Sequence, residues 1–273
     1  MYTKQLSDTH WLSDCKKLLD TVGFCIVENI LSLADCQAGT QALDKIYPLI
    51  TQEIGLERLE AAGEVGILRA PMKYSPYFMR LLENKFIQAL VDAMLSDTSI
   101  LHLQNGFIFP SQERDNVFEN FQYTFHPDFP RYLNGYVASL NALITLTDIH
   151  SEDEIFYVVP GTHQQAQKFD NDFCKRNQMS ISAKAGSVLF FDSTLWHCGG
   201  ANYSGKNWYG INHQYTRSYF KQQMDYVRVL GENLVIEQQP RVQQLLGYYT
   251  RVVTCLDEYY QPEEKRLYRK GQG

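Results

Sequence analysis

Several features that would indicate other classes of protein are missing from this sequence. Its six cysteines stand apart, with no Cys-x-x-Cys pair, so the sequence predicts neither a zinc finger nor a disulfide-dense scaffold. No apolar run approaches the ~20 residues that cross a bilayer, and the N-terminus has no basic patch followed by an apolar core. We therefore expect free thiols and a soluble, cytoplasmic protein.

Positive charge is also scarce. The net charge is −6, and the lysines and arginines form no cluster. Because nucleic acids and anionic membranes both favour clustered basic residues, the sequence argues against either as the principal partner. There is no internal repeat, and 273 residues are enough for one large domain with a full core. We expect a single domain over residues 1–273 that acts on a small molecule as a monomer or homodimer.

The patterns that are present are helical near both ends and β in the middle. Apolar residues at three- and four-residue steps predict helices over residues 12–19, 32–50 and 77–95. Gly23 is expected to end the first, and Ser32 or Asp35 is available to cap the second. From residue 100, short β-branched and aromatic runs predict strands over residues 101–109, 121–125, 137–146, 155–159, 187–191 and 209–215. The prediction is a mainly β protein with flanking helices, in three parts: helical (about 1–99), β core (about 100–226) and helical (about 227–273).

The most informative pattern is the pair His126 and Asp128, one residue apart, followed far along the chain by His197. On a β-strand, residues i and i+2 point to the same face, so the first two side chains can share one metal ion. The third ligand must come from a strand that is adjacent in space and distant in sequence. Two imidazoles and one carboxylate form a three-ligand face typical of ferrous iron, which leaves coordination positions open. The same ligand types also suit zinc.

Four segments around these residues carry further motifs: TFHPDF (124–129), YVVPGTH (157–163), AGSVLFFD (185–192) and GGANYS (199–204). In order and spacing they resemble the phytanoyl-CoA dioxygenase family of iron(II) and 2-oxoglutarate oxygenases, over roughly residues 23–249. The resemblance implies a double-stranded β-helix core of the jelly-roll, cupin-like kind. It also implies that His126, Asp128 and His197 hold iron(II), with 2-oxoglutarate and dioxygen as cosubstrates.

The resemblance further implies a dioxygenase that oxidises, most simply hydroxylates, an unactivated C–H bond while converting 2-oxoglutarate to succinate. Asp128 favours oxygenation over halogenation, because related halogenases replace this carboxylate with a small residue. Since no basic site for a coenzyme A phosphate is evident, we expect a small polar metabolite or specialised natural product as substrate. Two alternatives stay open: a β-helix protein that binds a metal or ligand without catalysis, and a zinc-dependent hydrolase using the same three residues.

The chain departs from the family at the cosubstrate site. Most members place an Arg eleven residues after the distal His to bind the 2-oxoglutarate carboxylate through two parallel contacts. The residue at that position here is Trp208, which cannot form a salt bridge. The candidates for binding the far carboxylate are Lys73, Gln104, Lys206 and Arg217. Because Gln104 and Asn105 point to opposite faces of a strand, only one of them can lie inside the barrel.

Overall fold

The computed structural model describes residues 2–113 and 120–272. Its strands are β1 (Thr3–Gln5), β2 (Phe24–Glu28), β3 (Ile67–Arg69), β4 (Ile100–Phe109), β5 (Ser139–Thr145), β6 (Phe156–Val158), β7 (Met179–Ser180), β8 (Val188–Asp192), β9 (His197–Gly199) and β10 (Trp208–Thr216). Its α-helices are α1 (Trp11–Val22), α2 (Leu33–Ile54), α3 (Leu56–Ala61), α4 (Pro76–Arg80), α5 (Lys85–Met94), α6 (Asn171–Asn177), α7 (Tyr226–Leu230), α8 (Glu232–Ile236), α9 (Pro240–Leu245) and α10 (Leu256–Tyr259).

The strands form two sheets. The larger has the order β1-β2-β8-β5-β10-β4-β3, and the smaller has the order β7-β6-β9. An antiparallel bridge between His126 and His197 adds the segment before Asp128 to the β9 side of the smaller sheet. The two sheets enclose a cavity between them. This is the double-stranded β-helix architecture that the family resemblance implies.

The larger sheet is covered on its outer face by helices. Strand β5 lies at its centre and is buried along its whole length. Ala142 and Ile144 pack with residues of α1, α2 and α5, whereas Leu143 belongs to the apolar cluster of the inner face. This alternation follows from the period of two along a strand, so one strand serves both the helical layer and the cavity wall.

The first predicted helix ends, and the second begins, as the sequence predicts. Helix α1 is terminated by Gly23, whose φ of 90° is in the left-handed region that ends many helices. Helix α2 begins after Ser32, whose side-chain oxygen accepts a hydrogen bond from the Asp35 N–H at 3.1 Å. Of the two candidate caps, Ser32 is therefore the one used.

The helix predicted over residues 77–95 is broken instead into α4, a 3₁₀ turn and α5. The break lies at Asn84, whose side chain accepts hydrogen bonds from the N–H groups of Phe86 and Ile87 and so starts a new helix. The first 99 residues also contribute β1, β2 and β3 to the larger sheet, so this part is less purely helical than expected.

The sequence predicts free thiols and no segment long and apolar enough to cross a bilayer. All six cysteines are free, and five of them are buried. Across residues 2–113 and 120–272, none of the helices is both long and apolar enough to cross a membrane.

Candidate metal centre

His126, Asp128 and His197 come together at the wall of the cavity. Nε2 of His126 lies 3.5 Å from Oδ1 of Asp128, and Nε2 of His197 lies 3.7 Å from Oδ2 of the same carboxylate. One ligand atom from each of the three side chains lies within 4.8 Å of the others. Three donors at these separations can bind one ion on a single face and leave its opposite side open.

The two histidines are positioned by the backbone bridge that joins their strands. The His126 N–H donates to the His197 carbonyl at 3.0 Å, and the His197 N–H donates to the His126 carbonyl at 3.1 Å. The strand predicted over residues 121–125 is instead a 3₁₀ turn at Phe121–Tyr123, and among the described residues this segment pairs only through the bridge. Asp128 therefore reaches the centre because the chain bends after a single paired residue, and not because of a regular strand.

Hydrogen bonds to backbone carbonyls orient both imidazoles. Nδ1 of His126 lies 2.7 Å from the Thr124 carbonyl, and Nδ1 of His197 lies 2.9 Å from the Leu195 carbonyl. A carbonyl oxygen can only accept, so each Nδ1 carries the proton, and Nε2 is directed toward the shared centre. This is the arrangement by which proteins fix the tautomer of a metal-binding histidine.

The electrostatics of the three side chains suit a cation. Burial lowers the pKa of His197 to about 4, so this ring is neutral near pH 7 and can act as a ligand. Burial raises the pKa of Asp128, but the adjacent imidazoles of His197 and His126 and a hydrogen bond from Asn141 outweigh it and lower that pKa overall. For His126, burial lowers the pKa, while the hydrogen bond and charge of Asp128 raise it above its ordinary value.

The three side chains line a cavity of about 260 Å³. Its apolar wall includes five aromatic side chains, those of Phe107, Phe109, Phe156, Phe191 and Trp208. Its polar wall comprises Arg69, His102, Asn105, Gln122, Asn212, Gln214 and Gln223. A concave apolar site with a few converging polar groups is typical of small-molecule sites.

The candidate Gln104 lies on the other face of β4. Its side chain is fully buried against the helices, where Oε1 accepts from the Met72 N–H at 3.1 Å and Nε2 donates to the Phe78 carbonyl at 3.0 Å. Asn105 is the member of the pair that lines the cavity. The expectation for Gln104 is therefore corrected to Asn105, because strand alternation predicts which residues share a face and not which face is inward.

The candidate Lys73 is on the surface. Its ammonium group contacts both carboxylate oxygens of Glu53, at 2.6 and 2.9 Å, and both side chains are more than one-third exposed. Lys73 is absent from the described residues that line the cavity. Lys73 therefore lies outside the cavity that contains the candidate metal centre.

The candidate Arg217 lies at the C-terminal end of α5, where its side chain donates to backbone carbonyls. Its guanidinium donates to the carbonyls of Val137 and Leu95, at 2.9 and 2.5 Å, and lies 4.3 Å from the centre of the Tyr136 ring. Arginine near a helix C-terminus commonly satisfies carbonyls that have no partner within the helix. This role directs Arg217 away from the cavity wall.

The candidate Lys206 lies in an exposed turn before β10. Its carbonyl accepts hydrogen bonds from Nδ2 of Asn202 at 2.6 Å and from Oγ of Ser204 at 3.0 Å. The Asn-x-Ser motif therefore shapes the turn, and the Lys206 side chain is not among the described residues that line the cavity.

The Pro-Gly-Thr-His motif supports the distal ligand. Oγ1 of Thr162 accepts from the Trp196 N–H at 3.0 Å and donates to the Val159 carbonyl at 2.7 Å, which holds the residue before His197 in place. His163 itself packs outside the metal cavity, where its Nε2 lies 3.4 Å from the Asp20 carbonyl. The motif thus has a structural role next to His197.

Sequence reasoning missed Arg69 and His102. Arg69 ends the three-residue edge strand β3, which is too short to give a periodic signal. In the pairing of β4 with β10, Leu103 faces Gln214 and Leu101 faces Tyr215, so His102 is an extra residue in a β-bulge. A bulge redirects a side chain, and here it brings His102 into the cavity wall beside Leu103.

Comparison with known proteins gives a family and a set of relatives. A family model described as phytanoyl-CoA dioxygenase (PhyH) matches residues 19–208. Uncharacterized protein Rv1501 of Mycobacterium tuberculosis and uncharacterized protein Mb1539 of Mycobacterium bovis are each 50% identical to this chain over 262 residues, covering 96% of it and 96% of each relative.

Solved structures share the fold at low sequence identity. A crystal structure of HygX from Streptomyces hygroscopicus with nickel and 2-oxoglutarate bound has a TM-score of 0.58 and 18% identity, covering 77% of this chain and 89% of HygX. The non-heme monooxygenase ThoJ, in complex with nickel, has a TM-score of 0.57 and 16% identity, covering 77% of this chain and 79% of ThoJ. Both similarities support the double-stranded β-helix architecture.

Proposed function

Because the chain belongs to the phytanoyl-CoA dioxygenase family, we propose that it is an iron(II)/2-oxoglutarate-dependent dioxygenase that oxidises a C–H bond of a small polar molecule. The observation that carries this proposal is the cluster of His126, Asp128 and His197, with its ligand atoms within 4.8 Å of one another on the wall of a cavity. Two imidazoles and a carboxylate are a ligand set that fits iron(II). When bound, iron(II) with 2-oxoglutarate and dioxygen supplies the oxidising chemistry and yields succinate and carbon dioxide.

The protein itself contributes ligand orientation and exclusion of water. The carbonyls of Thr124 and Leu195 fix the two imidazoles, so both rings are already in place before a metal binds. Phe156 and Phe191 pack against the His197 ring, with centroids 5.6 and 4.7 Å away. This aromatic wall keeps water from one side of the centre, which protects a reactive site from side reactions.

The polar wall supports a hydrogen-bonding substrate without a strong charge. His102, Gln214 and Gln223 lie at the end of the cavity wall near the bulge, and amide side chains both donate and accept. Among the described residues that line the cavity, Asp128 is the only carboxylate and Arg69 the only lysine or arginine. We infer that the substrate is a small polar metabolite or natural product bound mainly by neutral hydrogen bonds, so that placement selects the C–H bond that reacts.

The experiment is an anaerobic titration of the apoprotein with ferrous iron and then 2-oxoglutarate, followed by visible absorption. The weak absorption band of an iron-bound keto acid should appear. It should be lost, together with iron binding, in Asp128→Ala and His197→Ala, because two remaining ligands hold iron far more weakly. His10→Ala is a matched control, since His10 is exposed and makes no side-chain capping bond.

Two outcomes would contradict the proposal. Iron bound with no absorption band and no succinate formation would favour a β-helix protein that binds its ligand without catalysis. Tight zinc binding with hydrolysis, and no response to 2-oxoglutarate, would favour the hydrolase alternative.

A further inference from the structure

We propose that Arg69 on the edge strand β3, assisted by the indole N–H of Trp208, binds the far carboxylate of 2-oxoglutarate in this protein. The inference rests on the proposed function and adds to it an anchor for the cosubstrate. It places the cation two strands away from β10, the strand on which most family members carry an arginine.

The first observation is the position of Arg69 in the cavity wall. It is the only lysine or arginine among the lining residues within the described part of the chain. By strand register, Arg69 lies opposite Asn105 on β4, and Asn105 lies opposite Asn212 on β10. Directly opposed residues have neighbouring side chains, so the three form a polar row across the inner face of the sheet.

The second observation is the state of the Arg69 guanidinium. Nε and Nη2 donate to the two carboxylate oxygens of Glu64, at 3.1 and 2.6 Å, which fixes the plane of the group. The guanidinium has five N–H donors, so the edge formed by Nη1 and the second hydrogen of Nη2 is left for another carboxylate. A fixed planar fork of this kind binds a carboxylate in a two-pronged manner.

The third observation is the indole of Trp208. The side chain is 3% exposed, and its Nε1 is buried without a hydrogen-bond partner among the described residues. A buried N–H without a partner is unfavourable unless a ligand accepts a hydrogen bond from it. Trp208 therefore offers a neutral donor at the position where the family carries a charged one.

The six-membered ring of Trp208 extends along β10 toward the row that contains Arg69. A Cβ atom added to Gly210 would lie 2.3 Å from Cη2 of Trp208, so the indole extends over Gly210 in the direction of Asn212. This close approach requires glycine at position 210. One charged donor on β3 and one neutral donor on β10 therefore line the same cavity.

The test compares 2-oxoglutarate with pyruvate, which has the same metal-chelating keto acid group and lacks the far carboxylate. Each is titrated anaerobically into the iron(II)-loaded protein, with the visible absorption band and tryptophan fluorescence as readouts. The wild type should bind 2-oxoglutarate more tightly than pyruvate. Arg69→Met should weaken 2-oxoglutarate binding by about 10- to 100-fold, the effect of losing charge-assisted hydrogen bonds, and should leave pyruvate binding unchanged.

Further variants separate the roles of charge and indole. Arg69→Lys should keep part of the preference for 2-oxoglutarate, because it retains the charge without the fork. Trp208→Phe should weaken 2-oxoglutarate binding by only a few-fold, as expected for one neutral hydrogen bond. Lys73→Met is the matched control, since it removes a cation paired with a carboxylate outside the cavity and should change neither affinity.

The outcomes are distinguishable from failure of the proposed function. If the wild type binds iron but neither keto acid, the proposed function fails. If the wild type prefers 2-oxoglutarate and Arg69→Met or Arg69→Lys keeps the full preference, this inference is overturned while the proposed function stands. Iron affinity measured in each variant shows whether the metal centre remains folded, and if Arg69→Met does not fold, the Arg69→Lys and Trp208→Phe ratios decide the question.

Discussion

The polar side chains on the two faces of strand β4 differ in how fully they are hydrogen-bonded. On the outer face, both ends of the Gln104 amide have partners, since Oε1 accepts from Met72 and Nε2 donates toward Phe78 and His213. On the inner face, Oδ1 of Asn105 and Oδ1 of Asn212 are buried without partners among the described residues. Buried polar atoms are normally paired. The Gln104 amide on the outer face therefore needs no further partner, whereas the two oxygens on the inner face are available to a ligand.

The outer network connects several parts of the fold. Nε2 of His213 accepts from the Gln104 amide at 2.9 Å, so Nδ1 carries the proton and donates to the Tyr215 hydroxyl at 3.0 Å. The backbone N–H of Gln104 donates to the Tyr226 hydroxyl at 2.8 Å. The network thus joins β4 and β10 to α7, and its contribution should be to stability and not to binding.

The two faces predict unequal losses of stability for substitutions at neighbouring residues. Gln104→Leu leaves the Met72 N–H and the Phe78 carbonyl buried without partners, so the free energy of unfolding should fall by about 2–4 kcal/mol. Asn105→Leu removes an atom that is already unpaired, so the free energy of unfolding should change by less than about 1 kcal/mol. Denaturant unfolding of the apoproteins measures both. Equal losses in the two variants would show that the inner face is also part of the stabilising network.

The outer network also predicts a dependence of stability on pH. Burial lowers the pKa of His213 to about 3, below its ordinary value of 6.5. A histidine with a lowered folded-state pKa stabilises the fold above the unfolded-state pKa, and this contribution is lost as the pH falls from about 6.5 toward 3. The loss is at most about 1.4 kcal/mol per pH unit for one proton.

His213→Gln should therefore make the free energy of unfolding less steep against pH between 4 and 6.5, by up to one proton per molecule. The measurement is denaturant unfolding of the apoprotein at several pH values. His10→Gln, at an exposed position, should leave the slope unchanged. A His213→Gln slope equal to that of the wild type would mean that His213 is protonated to the same extent in both states.

The comparison of the two faces also explains which parts of the site could be predicted. The candidate metal ligands could be recognised because His126 and Asp128 are close in sequence and their side-chain types are specific. The choice between Gln104 and Asn105 could not, because alternation does not say which face is inward. Packing of α2, α4 and α5 on the outer face decides it, and that depends on contacts distant in sequence.

Two further differences arise from strand pairing, which the periodicity of a single segment does not contain. The bulge at His102 depends on the register between β4 and β10, and a register is a property of two segments and not of one. Arg69 is brought to the cavity by pairing of a three-residue strand with β4, which again depends on a distant partner. The helix ends at Gly23 and Ser32 depend on neighbouring residues alone, and these were predicted.

The smallest expected effect concerns the surface pair Lys73 and Glu53, which belongs to neither face of β4. Its N–O contact is only 2.6 Å, and the hydrogen bond from Lys73 lowers the pKa of Glu53. Both side chains are exposed, so water screens the charges, and holding two long side chains in one geometry has an entropic cost. Lys73→Met should change the free energy of unfolding by no more than about 0.5 kcal/mol, with the change reduced further in high salt. A loss comparable to that of Gln104→Leu would mean that this pair anchors α2 to the segment before α4, and that the stabilising contacts of the outer face extend to the protein surface.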